Sequence, residues 1–173
     1  MNTDAHFNAE TDEWSTPPSL LRPLSDAVGG FDLDPCSGAE EKTIAQVAHT
    51  EAENGLRQPW VGKVWMNPPY SEIADWMKKA LDESHREDVE CILALVPART
   101  STRWFQDYAT DSSAVAFLRG RLQFGDADNS APFPSAVVVY GNAPTEVYKT
   151  LEQRGTVYLG SDLRESTTQE RLA

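Results

Sequence analysis

The unbroken apolar run Cys91-Ile92-Leu93-Ala94-Leu95-Val96, stopped by Pro97, constrains this chain most. Six successive apolar residues leave no polar face, so a strand built from them has to be covered on both sides. The surrounding pattern supplies the cover. Ile73, Trp76, Met77, Ala80 and Leu81 recur at helical spacing just ahead of the run, which predicts a helix there. Another helix is expected from Ser15-Thr16-Pro17-Pro18, whose hydroxyls suit capping, to Gly29-Gly30. Two more are expected over Ser101 to Tyr108 and near Thr145 to Arg154. Further strands are expected at Phe31 to Asp34, ended by Pro35, and at Val61 to Met66, ended by Asn67-Pro68-Pro69. Ala114 to Leu118, Ala136 to Tyr140 and Val157 to Leu159 complete the set. Strands alternating with helices predict a three-layer α/β sandwich. Only 33 positions separate Asp34 from Asn67, room for one βα unit of about 30 residues. The sheet is therefore expected to be trimmed, with much of Ser37 to Trp60 irregular.

A chain of 173 residues, 40% hydrophobic, fits a single domain. We expect that domain over residues 14–160, between a flexible N-terminus (1–13) and a polar tail (161–173). No apolar stretch is long enough to cross a bilayer, and the acidic N-terminus is unlike a signal peptide, so a cytoplasmic protein without membrane contact is expected. Cys36 and Cys91 both fall in apolar strands or strand ends, which disfavours a disulfide framework. His6, His49 and His85 lack metal-ligand spacing, and no metal is expected.

Fifteen basic residues against 27 acidic ones give a net charge of −12. Such a balance repels a phosphate backbone at ordinary salt. The stretch Pro97 to Phe124 differs: Arg99, Arg103, Arg119 and Arg121 stand against Asp107 and Asp111 alone. That leaves room for a basic face able to contact phosphates. Lysine is scarce, five against ten arginines, which fits either a halophilic source or an acidic mesophilic one. In concentrated salt the long-range repulsion would be screened.

Asn67-Pro68-Pro69-Tyr70 directly follows an apolar strand, at the carboxyl end where open α/β sheets bind ligands. It also matches a chemical need. Methyl transfer to an aromatic amine requires the nitrogen lone pair to be drawn out of the ring, which two fixed acceptors on the amine hydrogens favour. The Asn67 side-chain oxygen supplies one. The Pro68 carbonyl, held still by consecutive prolines, supplies the other. Tyr70 offers an aromatic face to a base that has lost its stacking neighbours. The transfer is an in-line displacement, so orientation and polarisation suffice without a metal. The same four residues also make an ordinary strand-ending turn; the strand before and the helix after favour chemistry. The element resembles the catalytic motif of amino-group methyltransferases, which act on adenine or cytosine amines of DNA or on glutamine amides of proteins.

Trp14-Ser15-Thr16-Pro17, Phe31-Asp32-Leu33-Asp34-Pro35-Cys36, Asn54-Gly55-Leu56 with Trp60, and the Asn67 motif occur in that order. Val96-Pro97-Ala98-Arg99-Thr100, Trp104-Phe105, Gly120-Arg121-Leu122-Gln123-Phe124 and Pro132-Phe133-Pro134-Ser135-Ala136 follow. The succession resembles the phage-type DNA N-6-adenine methyltransferase (Dam-like) family over roughly Trp14 to Gly141. That resemblance implies a Rossmann-like methyltransferase sandwich with a mostly parallel sheet, S-adenosylmethionine as cofactor, double-stranded DNA as substrate and a monomer. It further implies a virus- or prophage-encoded enzyme, with a role in restriction-modification, and Thr16, Pro17, Asp34, Pro35, Cys36 and Asn67 lining the cofactor pocket.

Asp34 suits the cofactor's cationic amine, or it is a turn residue. Glu51, with Glu53, holds the cofactor's ribose or adenine, or belongs to a solvated acidic loop. The Gly-x-Gly loop that many methyltransferases place after their first strand is absent; only Gly38 follows the first strand here. Without a separate recognition domain, target reading falls to loops such as Asp126 to Phe133. Trp14, Trp60, Trp65, Trp76 and Trp104 are expected in the core. Two alternatives stay open: a protein glutamine-amide methyltransferase, and a noncatalytic acidic module that mimics or binds DNA.

Overall fold

The computed structural model describes residues 15–38, 44–123 and 130–160. The expected flexible ends, Trp14, Phe124 and positions 126–129 of the expected recognition loop lie outside them. Helix α1 (Pro18–Val28) starts with prolines in its first turn and ends at Gly29, whose φ of 79° is left-handed. The expected hydroxyl cap is not made: Pro17 is the N-cap, and it makes no side-chain cap hydrogen bond. Pro23 lies inside α1 and has no N–H to give Ser19. The Arg154 guanidinium donates to that Ser19 carbonyl instead, which is how the helix tolerates the proline.

Strands β1 (Phe31–Asp34), β2 (Ala45–Ala48), β3 (Gly62–Met66), β4 (Val89–Pro97), β5 (Ala114–Leu118), β6 (Ser135–Gly141) and β7 (Gly155–Leu159) form one sheet, ordered β2-β1-β3-β4-β6-β5-β7. Pairing is parallel from β2 through β1 and β3 to β4, and antiparallel for β4–β6, β6–β5 and β5–β7. The sheet, expected to be mostly parallel, is parallel over one half only and is a mixed α/β sheet. The cause is in the connections. Helix α2 (Ile73–Ser84) carries the chain from β3 to β4 as a parallel pair requires, whereas no helix is found between the neighbours β5 and β6 among the described residues.

The segment expected to be irregular contains β2, whose first residue pairs with Phe31 and whose last pairs with Asp34. The helix expected over Ser101 to Tyr108 is instead a short turn leading into a π-helical stretch, Phe105–Ala109, tied to β6 by the Tyr140 hydroxyl donating to the Tyr108 carbonyl at 2.8 Å.

Cys91 to Val96 is fully buried, as are Trp60, Val64 and Met66. Trp65, Trp76 and Trp104 are buried as well. Helix α1 packs on α3 (Thr145–Glu152), and α2 packs on β4, β6 and the π-helical stretch. Because β4 and β5 both run antiparallel to β6, β5 points the same way as β1 to β4. The carboxyl ends of these five strands therefore share one edge of the sheet.

Candidate active site

Met66 ends β3 because Pro68 cannot join a ladder and its ring keeps Asn67 out of helical geometry. Asn67 is consequently the first residue past the strand, half-buried at the sheet edge. Its amide is held at both ends. Nδ2 donates to Thr16 Oγ1 at 3.0 Å, and the Tyr70 hydroxyl approaches Oδ1 at 3.4 Å, long for a strong hydrogen bond. The Pro69 carbonyl accepts the Glu72 N–H at 3.2 Å and so closes the turn into α2. The carbonyl expected as second acceptor belongs to Pro68, one residue ahead of that turn, in a buried position.

Tyr70 is 9% exposed, and its ring meets Phe133 edge-on with centroids 5.6 Å apart. Burial raises the phenol well above its ordinary pKa; the nearby Arg99 charge opposes this and Cys36 reinforces it. The hydroxyl is therefore neutral at any working pH. Phe133, which the sequence offers as part of a resemblance and as the end of the expected recognition loop, completes an aromatic corner beside the Asn67 turn. Next to it Ser135, 2% exposed, opens β6 opposite Pro97, and its hydroxyl has no hydrogen-bond partner among the described residues.

The neighbouring strand end is Asp34-Pro35-Cys36. Leu33 pairs with Val64, so the Asp34 corner and Asn67 follow neighbouring parallel strands at the same end of the sheet. The Asp34 carboxylate, 8% exposed, accepts the Cys36 N–H at 3.1 Å, which is the turn geometry the sequence allowed for. Gly55 packs directly on Pro35. The Gly55 carbonyl takes the Trp60 indole N–H at 2.9 Å, and the Trp60 N–H reaches the Glu83 carboxylate of α2 at 3.0 Å. Helix α2 thus starts at the Asn67 turn and, through Glu83, also braces the Asp34 corner. No motif in the sequence marks this brace; the small Gly55 beside Trp60 is its one visible sign.

Glu53 builds its own turn, accepting the Thr50 N–H at 2.6 Å and the Thr50 hydroxyl at 2.8 Å, which holds its carboxyl below the ordinary value. Glu51 is exposed three residues past β2. Arg99 and Arg103 follow β4, and Arg119 and Arg121 follow β5, so all four lie along the same edge, each exposed. Among the described residues none of them forms an ion pair with an acidic side chain. Among those residues, too, no group of three or more His, Cys, Asp or Glu is placed to hold a metal, and no helix is long and apolar enough to cross a membrane.

Residues 4–157 match the family model described as DNA N-6-adenine-methyltransferase (Dam). The chain belongs to the Dam family of DNA N-6-adenine methyltransferases. Membership assigns methyl transfer to the N6 amine of adenine in DNA, and so selects the nucleic-acid branch over the glutamine-amide one. Two curated relatives carry the name DNA N-6-adenine-methyltransferase. That of Escherichia phage T1 is 27% identical over 168 residues, covering 94% of this chain and 68% of the relative. That of Haemophilus phage HP1 is 29% identical over 96 residues, 54% of each chain. As a Dam-family protein the chain needs a methyl donor.

Proposed function

We propose that this Dam-family chain methylates an adenine rotated out of double-stranded DNA, with S-adenosylmethionine as donor and Asn67-Pro68-Pro69-Tyr70 as the catalytic element. The observation that carries the reading is the Asn67 amide, fixed at the carboxyl edge of β3 between the Thr16 hydroxyl and Tyr70. We read the sheet as a trimmed Rossmann-like methyltransferase sandwich, a reading supported by its parallel half and by the gathering of candidate residues at that half's carboxyl edge.

The residues at the β1 end suit the donor's chemistry. Asp34 offers a carboxylate, 8% exposed and oriented by its own turn, opposite in charge to the methionine ammonium. Pro35 and Cys36 continue the turn from that position, and Glu51, not engaged in its own turn as Glu53 is, suits ribose hydroxyls. When bound, S-adenosylmethionine supplies an electrophilic methyl group on a sulfonium centre. The chain's own part is to hold the amine. Asn67 Oδ1 and the Pro68 carbonyl accept its two hydrogens, which turns the nitrogen lone pair out of conjugation with the ring. Tyr70 backs the extruded base, replacing a lost stacking partner at a benefit of about 1–3 kcal/mol. Arg99, Arg103, Arg119 and Arg121 hold the backbone on either side. A fixed pair of acceptors removes the orientational entropy that free reactants would lose.

The test is Asn67→Ala, assayed by modified-base sequencing of duplex DNA and by calorimetry with S-adenosylmethionine. Lost methylation with retained donor binding is the expected outcome. A variant as active as the parent, or a parent that does not bind the donor, overturns the reading.

A further inference from the structure

An asparagine amide is nearly symmetric in shape, yet only one end serves here. With Oδ1 toward the substrate it accepts the adenine amine; with Nδ2 there, donor meets donor. The prolines after Asn67 fix its backbone, but the terminal torsion of an Asn side chain is broad and twofold, so they leave the amide free to turn over. Something else has to set it.

We infer that Thr16 is a positioning residue for methyl transfer: its hydroxyl holds Nδ2 of Asn67 and thereby commits Oδ1 to the substrate side. This deepens the function proposed above and rests on it. Three observations carry it. The Nδ2 to Oγ1 distance is 3.0 Å across 51 positions of sequence, between two residues that each precede a Pro-Pro pair: Thr16-Pro17-Pro18 and Asn67-Pro68-Pro69. A residue before proline is confined to extended geometry, and threonine is stiff about χ1, so the hydroxyl has little freedom of its own. Next, Thr16 stands beside the start of α1, where a hydroxyl commonly bonds the first turn, yet α1 has no side-chain cap. The group is turned to Asn67 instead, in a site where Thr16 is 8% exposed. Finally, the opposite end of the amide faces the Tyr70 hydroxyl. A neutral phenol donates more readily than an aliphatic hydroxyl, so Tyr70 favours an oxygen on its side and leaves the nitrogen for Thr16.

A positioning role differs from direct contact with the donor in what it changes. Thr16→Val removes the hydroxyl and keeps the shape; Thr16→Ser keeps the hydroxyl; Thr16→Ala serves if the valine variant does not fold. Each is measured for kcat and KM on adenine-containing duplex DNA, and for S-adenosylmethionine affinity by calorimetry. Expected is a kcat lowered on the order of tenfold by Val or Ala, the size of one hydrogen bond, with donor affinity and DNA KM within about twofold of the parent. Serine is expected to restore most of kcat, and Thr16→Val is expected to add nothing in an Asn67→Ala background. Weakened donor affinity with kcat intact at saturating donor makes Thr16 a cofactor contact and overturns the inference. So does a valine variant with parental kcat. A parent that fails to methylate DNA at all is distinguished by its own control, and refutes the underlying function as well.

Discussion

Gly55 lies so close under Pro35 that a Cβ built on it would stand 1.9 Å from the Pro35 carbonyl oxygen and 2.8 Å from its carbon. Both atoms are backbone, so nothing there swings aside. Any side chain at 55 has to displace the Pro35 backbone at the β1 end, where we propose that the donor binds. Gly55→Ala is expected to destabilise the fold by about 1–3 kcal/mol, the usual cost of overpacking, and to weaken donor binding more than duplex DNA binding. Thermal unfolding and calorimetry check it. Unchanged stability with unchanged donor affinity removes Gly55 from the support of the site.

The Tyr70 ring and its hydroxyl are expected to contribute unequally. The hydroxyl is 3.4 Å from Asn67 Oδ1, so Tyr70→Phe should lower kcat only a few-fold, within the roughly 0.5–1.5 kcal/mol of an ordinary hydrogen bond. Tyr70→Ala removes the surface against which we propose the base rests and undoes the edge contact with Phe133. Its expected loss is about 5- to 150-fold, matching about 1–3 kcal/mol of base stacking. Because burial raises the phenol's pKa, the parent's pH–rate profile should show no phenol ionisation up to pH 10 or so. A fall in rate near that pH that vanishes in Tyr70→Phe would contradict the buried, neutral phenol.

What could be read in advance divides by range. Strands β1 and β5 and the start of α2 fall where prolines and side-chain periodicity put them, because those signals act over a few residues. Strand β2 was hidden: Ala45-Gln46-Val47-Ala48 is a short sheet edge with Gln46 and Val47 exposed, and it exists through pairing with β1 rather than through a pattern of its own. The same limit governs the site. Asn67 to Tyr70 form a contiguous motif, so their shared position was legible, whereas Thr16 reads locally as a helix cap and its actual partner is 51 positions away. Glu83 sits in Asp82-Glu83-Ser84, which looks like a solvated helix end, and only the packing of Trp60 on Trp76, centroids 6.2 Å apart, brings its carboxylate inside.

That carboxylate makes acid stability a test of the brace. Burial alone would raise Glu83, but hydrogen bonds from Lys79 and from the Trp60 N–H, with the charges of Lys79 and Arg86, outweigh it and set its pKa below the ordinary 4.5. A folded-state pKa below the unfolded one means stability that is present above about pH 4.5 and lost as pH falls through the folded value. Glu83→Gln is expected to be less stable than the parent at neutral pH, with the difference shrinking below about pH 4. Glu83→Ala also strands the buried Trp60 N–H and should cost about 1–3 kcal/mol. Denaturant unfolding at several pH values measures both. A gap between parent and Glu83→Gln that stays constant down to pH 3 would place the stabilisation elsewhere.

The exposed arginines offer the remaining test, because the chain's net charge of −12 gives it no general attraction for DNA. Whatever affinity exists has to come from a local surface, and Arg99, Arg103, Arg119 and Arg121 lie along the site edge without acidic partners among the described residues. Four phosphate contacts predict a log–log salt dependence of binding with slope of roughly −3.6, and each Arg→Ala change should reduce its magnitude by about 1. Donor affinity should not move, since none of the four lies at the β1 end. Fluorescence anisotropy on labelled duplex from low to moderate salt reads the slope directly. If replacing all four leaves both affinity and slope at the parental value, the DNA lies on another face and the placement of the extruded base against Tyr70 has to be redrawn.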